Sequence, residues 1–397
     1  MEKQNKKMKN KKILATTALA FIVCGIFIST FMQKESIGIT LWESESRKIG
    51  DDLILVAPIH ADFKADWTKS EVSLINLSGN VEKKWTIPGI TLTNRIGPDG
   101  LLYSMVLAPT NHKKNNARGE IEKIIATNLN GKIISEIKLD NLHHDFDFIN
   151  HDRFISIQYE KIDRSIINII DPKSKLEIGL SDKIVIFNRQ GQISWEWSLK
   201  DHLKEFDFSL QAIESNSNEL IDEESFTHVN SIAYVKENPI SKNEAFLISS
   251  RRLNTVLLVE IGSGKILWHA PKDSMSRQHD ATISKNLVTV FNNNISDGKP
   301  MSVQVWDVLT NNKIKDWSIP TSYHTSQLMG GARWLTDGSL LISISTSGAL
   351  LEIDPAGIMS WSFIFRNKEK LKQPVWEVGQ NFFRAEVYPE AILKTLQ

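Results

Sequence analysis

The stretch "VSLINLSGNVEKKWTI", residues 72–87, carries the pattern that decides the fold. Apolar residues alternate on both sides of a polar turn, Ser-Gly-Asn, and glycine and asparagine adopt the positive φ that a tight turn needs. The second half ends near a tryptophan, Trp85. The stretch therefore predicts a β-hairpin, two short antiparallel strands joined by a tight turn.

This hairpin pattern recurs five more times along the chain. The further copies are "IIATNLNGKIISEIKL" from residue 124, "IVIFNRQGQISWEWSL" from 184, "VLLVEIGSGKILWHAP" from 256, "VQVWDVLTNNKIKDWSI" from 303 and "ALLEIDPAGIMSWSFI" from 349. Most copies follow another β-rich run, such as "RFISIQY" or "EAFLISS", so each unit offers three or four strands. Four-stranded units that repeat every ~45 to 70 residues are typical of a β-propeller, whose blades close into a ring. The sequence thus predicts an all-β, six-bladed β-propeller.

A tryptophan recurs at a similar place in five of the copies. The set is Trp85, Trp197, Trp268, Trp317 and Trp361. The interpretation favoured here is that these rings pack between neighbouring blades, because large aromatic side chains supply much of the buried apolar area of a core. The alternative is a tryptophan floor under a cofactor such as a quinone.

The N-terminal region predicts one transmembrane helix before the propeller. Residues 13–32 are uncharged, and twenty residues at helical rise span about 30 Å, the thickness of the hydrocarbon layer. The lysines before this run keep the N-terminus cytoplasmic by the positive-inside rule, which places the body on the periplasmic or extracellular side. A cleaved signal peptide is the alternative, although its apolar region is usually shorter and ends in a small-x-small site that is not clear here. The predicted domains are a basic tail (1–12), the anchor (13–32), a linker with the first strands (33–70) and the propeller (71–397).

Charge and cysteine content exclude several classes of function. Residues 1–32 hold six lysines and one glutamate, so the other 41 basic and 46 acidic side chains give the body a net charge of −5. A mildly acidic body argues against nucleic-acid binding, which needs a basic face. The only cysteine, Cys24, excludes an intrachain disulfide and a cysteine-based metal site.

Histidine-bearing polar stretches precede or open four of the predicted blades. They are "NLHHDF" with His143 and His144, "SFTHVNSI" with His228 and Asn230, "SRQHDATI" with His279 and Asp280, and "TSYHTSQ" with His324. The steps from His144 to His228, His279 and His324 are 84, 51 and 45 residues, close to the intervals between blades. A single buried histidine is more often structural. Because the innermost strands of a propeller line its channel, recurrence at blade spacing favours one shared pocket.

The residue types in these stretches suit an oxyanion better than a metal. Arg251 and Arg252 follow the strand-like run "AFLISS", and arginine is the side chain that best binds planar or tetrahedral oxyanions. Zinc needs three close imidazoles or carboxylates, and the chain has no HExxH motif, so neither a metal nor another cofactor is predicted. Neutral imidazole is a competent nucleophile, and arginine, asparagine and protonated histidine can hold the oxygens of a transferred sulfuryl or phosphoryl group.

At these residues the sequence resembles the bacterial arylsulfate sulfotransferases. "THVNSI" followed by "FLISSR" is similar to that family's H-x-N-S-I and S-S-R motifs, and "QHDA" followed by "VTVFNNN" is similar to its Q-H-D-A motif and N-N block. "HHDF" resembles an earlier histidine motif and "GGARWLTDGSLLIS" a late glycine-rich one. The resemblance covers residues 70–365, with the motifs in the family's order. The segment between His228 and Arg251 is longer than in the family, and its extra residues, "KENPISKNE", read as a turn.

The resemblance implies a six-bladed propeller that moves a sulfuryl group from an aryl sulfate donor to a phenol acceptor without a nucleotide. It implies a ping-pong mechanism in which His279 becomes a transient sulfohistidine. His144, His228, Asn230 and Arg251 would hold the sulfate oxygens and assist proton transfer. The further candidates for substrate binding are His143, Asp280 and His324. Which of the two adjacent histidines, His143 or His144, occupies the family's position is left open.

Two other classes of protein share parts of this pattern. A non-catalytic exported propeller that binds a ligand or a protein partner would scatter the histidines over different faces. A quinone-dependent dehydrogenase would place a calcium-binding carboxylate set at the channel mouth, where this chain has imidazoles. The observation that separates these classes is whether His144, His228, Arg251 and His279 converge on one oxyanion-sized space.

Overall fold

Short antiparallel strands build six sheets, which are the six blades of a β-propeller in the computed structural model of the chain. The structure describes residues 34–36, 39–43, 50–59, 69–107, 120–210, 225–294, 299–319, 326, 328–365 and 381–396, the first two ranges as backbone only. The all-β, six-bladed prediction is confirmed.

Blades two to five each consist of four strands that follow one another along the chain. The second blade contains β7 (Thr91–Ile96), β8 (Leu102–Leu107), β9 (Ile121–Thr127) and β10 (Ile133–Ile137). The third contains β11 (Leu142–Phe148), β12 (Arg153–Asp163), β13 (Ile178–Asn188) and β14 (Ile193–Ser198). The fourth contains β15 (Val229–Val235), β16 (Ala245–Ser250), β17 (Thr255–Glu260) and β18 (Ile266–His269). The fifth contains β19 (His279–Ser284), β20 (Leu287–Asn292), β21 (Ser302–Asp307) and β22 (Asn312–Ser318).

The first blade joins the two ends of the chain and so closes the ring. It contains β28 (Glu386–Pro389), β3 (Asp52–Val56), β5 (Lys69–Asn76) and β6 (Val81–Pro88), with β28 innermost. The sixth blade contains β23 (Gly331–Trp334), β24 (Leu340–Ile344), β25 (Ala349–Ile353) and β26 (Met359–Phe365), and β2 (Ile39–Glu43) and β1 (Lys34–Ser36) extend its outer edge. A short pair is formed by β4 (Pro58–Ile59) and β27 (Asn381–Phe382). The inner strands of the six blades, in order around the channel, are β28, β7, β11, β15, β19 and β23.

The six repeated stretches form hairpins, as predicted, and each hairpin supplies the third and fourth strands of its blade counted from the channel. In the first copy the Asn76 side-chain oxygen accepts hydrogen bonds from the backbone N–H groups of Ser78 and Asn80, both at 3.0 Å, while Gly79 takes φ 79°. The same pattern of a side-chain oxygen holding the turn recurs at Asn128, Asn188 and Asp354. Asparagine and aspartate stabilise such turns by bonding to the backbone two residues on. The turn residues therefore set the register of these four hairpins.

Apolar clusters lie between neighbouring blades, and the repeated tryptophans belong to them. Three indole N–H groups donate to the outer turn of the next blade: Trp197 to the Gly264 carbonyl at 2.9 Å, Trp268 to Asn311 Oδ1 at 2.8 Å and Trp361 to the Leu77 carbonyl at 2.8 Å. Trp85 and Trp317 pack in the clusters between blades one and two and between blades five and six. The predicted inter-blade role of the tryptophans is confirmed.

One short helix packs against the third blade. Helix α1 (Arg164–Ile170) lies between β12 and β13 and begins at Asp163, whose side chain accepts from the backbone of Ser165 and Ile166. Two of its isoleucines, Ile167 and Ile170, are buried between blades three and four. The helix therefore adds to the apolar packing between blades three and four, which carry two of the histidine motifs.

The predicted membrane anchor, residues 13–32, lies outside the described residues and stays a prediction, as do the domain bounds. Within the part of the chain that the structure describes, no helix has the length and apolar character needed to span a bilayer.

Candidate active site

Irregularities at the head of the inner strands position the histidines. The pairing register shifts between His143 and Phe146 in β11, between Val229 and Ser231 in β15, and between His279 and Thr282 in β19. A β-bulge of this kind re-aims a side chain and bends the strand, and bulges are frequent beside active sites. The predicted strand-head placement is confirmed for these three blades.

Left-handed backbone accompanies these bulges. His144 has φ 57°, His228 φ 47° and Asp280 φ 56°. Residues other than glycine rarely adopt positive φ. Those that do are held there by the surrounding structure, and they are frequent at active sites. His143 and His279 are each the last paired residue before the bulge, so they occupy equivalent positions in their blades. The left-handed residue that follows is His144 in one blade and Asp280 in the other.

The structure brings together at the channel the four predicted site histidines that it describes, His143, His144, His228 and His279. All four are buried, and the rings of His144 and His228 pack edge to face with their centroids 5.0 Å apart. His143 Nδ1 lies 2.7 Å from His144 Nδ1. Arg251 is close enough to His279 for its positive charge to lower the pKa of that histidine. His324 lies outside the described residues, and its assignment stays a prediction.

Asn293 fixes the proton of His279. The Asn293 amide nitrogen donates to the carbonyls of Ser326 and Met329, which leaves its Oδ1, 2.8 Å from His279 Nδ1, as the atom that faces the ring. An amide oxygen can only accept a hydrogen bond, so His279 Nδ1 carries the hydrogen. The lone pair of the neutral ring is therefore on Nε2.

His279 is held in its neutral form. Burial and the positive charge of Arg251 lower the pKa of His279 to about 3, although the bond to Asn293 opposes the shift. An imidazole with such a pKa keeps its Nε2 lone pair throughout the physiological range. His279 thus presents an unprotonated Nε2 and feels the positive charge of Arg251.

His143 and Asp182 form a buried chain that ends at His144. His143 Nε2 lies 3.0 Å from Asp182 Oδ1, and both side chains are fully buried. The other carboxylate oxygen accepts from Thr227 Oγ1 and from the backbone N–H of Val229, both at 2.6 Å. The His143 ring stacks on the Tyr159 ring, with 3.7 Å between the two centroids. Sequence reasoning missed Asp182, whose only signal is its place inside β13, two residues before the apolar run that begins at Ile184.

The H-x-N motif and the arginine that follows it lie side by side. The backbone N–H of Arg251 donates to the His228 carbonyl at 2.9 Å, so the longer connection leaves this arginine beside the motif. Asn230 donates through Nδ2 to the Gln278 carbonyl at 2.8 Å, and among the described residues its buried Oδ1 has no hydrogen-bond partner. Arg252 instead donates to the Ser225 carbonyl at 3.2 Å.

Six charged side chains form a closed ring of alternating sign across the channel. Around this charge ring each residue pairs with the next, in the order Arg95, Asp145, Arg384, Asp280, Arg333 and Glu386, and Glu386 returns to Arg95. Apart from the contact of Asp280 with Arg333, which is a short one, the separations run from 2.8 to 3.3 Å. Blades one, two, three, five and six contribute its members. The charge ring therefore ties five blades together beside the histidines.

The charge ring decides what Asp280 contacts. One carboxylate oxygen of Asp280 meets Arg384 Nη1 at 2.8 Å, and the other meets Arg333. Gly331 allows this approach, because a Cβ at that position would lie 2.2 Å from Asp280 Oδ2. Arg384 in turn stacks on Phe383, 4.5 Å from the ring centroid, and Phe383 packs against His144. Sequence reasoning missed Arg384, because it lies beyond the recognised motifs.

Glu386 is strongly held as a carboxylate. Burial would raise the pKa of Glu386, but the charges of Arg333 and Arg95 outweigh it and hold the pKa at about 2. Burial lowers the pKa values of Arg95 and Arg333, but Glu386 and the other carboxylates of the charge ring outweigh it and raise both values above the usual arginine range. Glu386 and its two arginine partners therefore stay ionised at neutral pH.

The fold and the site define a β-propeller whose channel holds a neutral, tautomer-fixed histidine among arginine and further imidazoles. Within the described residues, no group of three or more histidine, cysteine, aspartate or glutamate side chains is arranged to hold a metal ion. The chain belongs to the arylsulfotransferase (ASST) family, whose family model matches residues 120–366. The resemblance read from the motifs is confirmed. The match includes His144, His228, Arg251 and His279 and ends before Arg384.

Other comparisons add no functional argument. No curated protein matches the chain. Among solved structures, a protein of unknown function from Bacteroides caccae is 12% identical with a TM-score of 0.49, covering 85% of this chain and 98% of its own. Hydrazine synthase of Kuenenia stuttgartiensis is 10% identical with a TM-score of 0.45, covering 78% and 79%. A streptogramin B lyase is 11% identical with a TM-score of 0.43, covering 84% and 88%. TM-scores below 0.5 establish neither a shared fold nor a shared activity.

Proposed function

We propose that this protein transfers a sulfuryl group from an aryl sulfate ester to a phenol by a ping-pong mechanism through a sulfohistidine on His279. Membership of the arylsulfotransferase family supports the activity class. The observation that carries the mechanism is the neutral His279, with its lone pair on Nε2 and its pKa at about 3. A nucleophile that is already unprotonated can attack without a general base.

In the first half-reaction, His279 Nε2 attacks the sulfur of the aryl sulfate. The bond between sulfur and the aryl oxygen breaks, and its electron pair leaves with the phenolate, which takes up a proton from the solvent. The developing negative charge on the sulfuryl oxygens is stabilised by the Arg251 guanidinium and by imidazole N–H groups, since preorganised donors act most strongly where charge develops. The sulfuryl group remains on His279.

In the second half-reaction, an acceptor phenol loses its proton to the solvent and its oxygen attacks the same sulfur. The bond between sulfur and His279 Nε2 breaks, and the electron pair returns to that nitrogen. The product is a new aryl sulfate, and the enzyme regains its starting state. One binding site thus serves donor and acceptor in turn.

The remaining predicted site residues divide into two groups under this proposal. His228 and Asn230 hold the sulfate oxygens with Arg251, because the H-x-N motif lies beside that guanidinium. Asp280 acts through Arg384, because both of its oxygens bind arginines. His143 acts through His144, 2.7 Å away.

The proposal is tested by a short pulse of nitrophenyl sulfate without acceptor. We expect a burst of nitrophenol equal to the enzyme concentration, together with one added sulfuryl group on the peptide that contains His279 in mass spectrometry. A sulfuryl group on another residue would reassign the nucleophile. Nitrophenol released only in the presence of acceptor, with no modified peptide, would replace the ping-pong mechanism by direct transfer.

Asn293 sets the pH range in which the burst occurs. In the wild type, His279 protonation should not slow the burst between about pH 5 and 8, because the imidazole stays neutral there. In Asn293→Asp a carboxylate faces Nδ1 and raises the His279 pKa, so the burst rate should fall as the pH drops through that range. Stopped-flow measurement of nitrophenol release gives both profiles.

The matched control for this pH effect is Asn294→Asp, which adds the same charge one residue further on. Its side chain is more exposed and bonds to Asn292 and Pro300 rather than to a histidine. We expect its pH profile to match that of the wild type. An equal shift in both variants would mean that net charge, and not the contact with His279, sets the profile.

A further inference from the structure

One arginine, Arg384, contacts all three bulges that aim the histidines. Its Nη1 donates to Asp280 Oδ1 at 2.8 Å and lies 3.0 Å from Asp145 Oδ2, and its Nη2 donates to the Asn230 carbonyl at 3.3 Å. These three partners fall inside the register shifts of the inner strands in blades five, three and four. A bulge leaves its extra residues outside the ladder of strand pairing. Arg384 therefore supplies a connection between the bulges that the sheets do not supply.

The contacts of Arg384 bracket the nucleophile on both sides along the chain. Asp280 directly follows His279 and has a left-handed backbone, φ 56°, which persists only where the surrounding structure holds it. On the other side, Asn230 accepts from Arg384 through its carbonyl and donates from Nδ2 to the Gln278 carbonyl at 2.8 Å. The residues before and after His279 are thus tied to the same guanidinium.

Arg384 is itself firmly placed close to the imidazole. Its buried guanidinium stacks on Phe383, 4.5 Å from the ring centroid, and it enters the channel two residues before β28, the strand that closes the ring. Burial chiefly lowers the pKa of His279, and the positive charges of Arg251 and Arg384 add to this effect. A planar guanidinium bonds several acceptors at once in a fixed geometry, which a lysine ammonium does not.

We propose that Arg384 is a positioning residue that holds His279 Nε2 in line with the sulfur, through Asp280 and Asn230. The inference rests on the proposed function. In-line attack needs precise geometry, and a displacement of about 1 Å costs up to about 100-fold in rate. Because Arg384 acts through the residues around His279, its loss lowers the rate of attack and leaves the binding of the aryl sulfate unchanged.

The first test is Arg384→Lys, which keeps a positive charge beside both carboxylates and removes the fork. At saturating nitrophenyl sulfate we expect the burst to be about 10- to 100-fold slower. The concentration that gives half the maximal burst rate should stay at the wild-type value. Stopped-flow release of nitrophenol over a range of substrate concentrations measures both quantities, and thermal unfolding confirms that the variant is folded. An unchanged burst rate, or a loss found only in the half-saturating concentration, would overturn the inference.

The second test is independent of activity. In full-length protein labelled with ¹⁵N-histidine, we expect the wild type to show one sharp Nδ1–H signal for His279, assigned by its loss in His279→Gln. In Arg384→Lys this signal should broaden or split, because the ring samples more than one arrangement. An equally sharp, unshifted signal in the variant would contradict the positioning role. A wild type that forms no sulfohistidine would instead contradict the proposed function, while the histidine signal still tests the hold on His279.

Arg95→Lys is the matched control, since it makes the same change in the same charge ring. The partners of Arg95 are Asp145 and Glu386, both at 3.3 Å, and neither lies in the segment that carries His279. We expect a wild-type burst and a wild-type His279 signal. A loss equal to that of Arg384→Lys would assign the effect to the charge ring as a whole and reject a specific role for Arg384.

Discussion

His279→Ala should lower sulfuryl transfer by about 10⁴-fold or more, because removal of a covalent nucleophile leaves only binding and oxyanion stabilisation. The burst of nitrophenol and the modified peptide should both disappear. The measurement is stopped-flow release of nitrophenol together with intact mass after a pulse of nitrophenyl sulfate. The physical reason is that burial keeps the His279 ring neutral while Asn293 fixes its lone pair on Nε2.

The fold should survive this substitution. Truncation leaves Asn293 Oδ1 without its donor, which costs about 1–3 kcal/mol, and the inter-blade clusters are untouched. Thermal unfolding followed by circular dichroism checks this. His151→Ala, on the exposed turn between β11 and β12, is the matched control and should keep full activity. Normal turnover by His279→Ala would remove this residue as the nucleophile.

The fold was predictable because its signals are local. Each hairpin carries its own turn residue, such as Asn76, and its own alternation of apolar side chains, and the repeat of this unit dictates a ring. The tryptophans were predictable for the same reason, since they recur at one place in the unit. Strand identity and blade number therefore needed no knowledge of contacts between distant parts of the chain.

The site was only partly predictable, because its parts pair across blades. Periodic spacing placed His144, His228 and His279 at strand heads, and the structure gathers them. The bulges and left-handed residues that aim each ring depend on register, which the motif strings do not encode. Asp182 gave only the weak signal of a polar residue ahead of an apolar run, which is ordinary, and Arg384 gave none, since their partners come from other elements. The sequence also could not show that the Asp280 carboxylate faces two arginines.

The second large effect is on stability. Glu386→Gln should lower the free energy of unfolding by about 3–5 kcal/mol, because removing one partner of a buried ion pair leaves the other charge uncompensated. Here two arginines, Arg95 and Arg333, lose that partner at once. Glu386 also lies in β28, the strand that closes the ring, so weakening it loosens the junction of the chain's two ends. Urea unfolding followed by tryptophan fluorescence measures the difference.

The pH dependence of this effect has a definite sign. The pKa of Glu386 is about 2 in the folded protein and about 4.5 when unfolded, so the fold prefers the carboxylate. Its contribution is fully present above pH 4.5 and is lost as the pH falls toward 2, by about 3 kcal/mol at 1.36 kcal/mol per pKa unit. Glu386→Gln should lack this part of the acid destabilisation, so the two stability curves should converge at low pH.

The matched control removes the same charge from the same blade at the surface. Glu71 pairs with Lys84 at 2.7 Å, and both side chains are about half exposed. Exposed pairs contribute about 0–1 kcal/mol, because water screens them and ordering two long side chains costs entropy. Glu71→Gln should therefore change stability by less than about 1 kcal/mol at every pH. Equal losses in the two variants would mean that the charge ring contributes no more than a surface ion pair, and that the blades are held together by their apolar clusters alone.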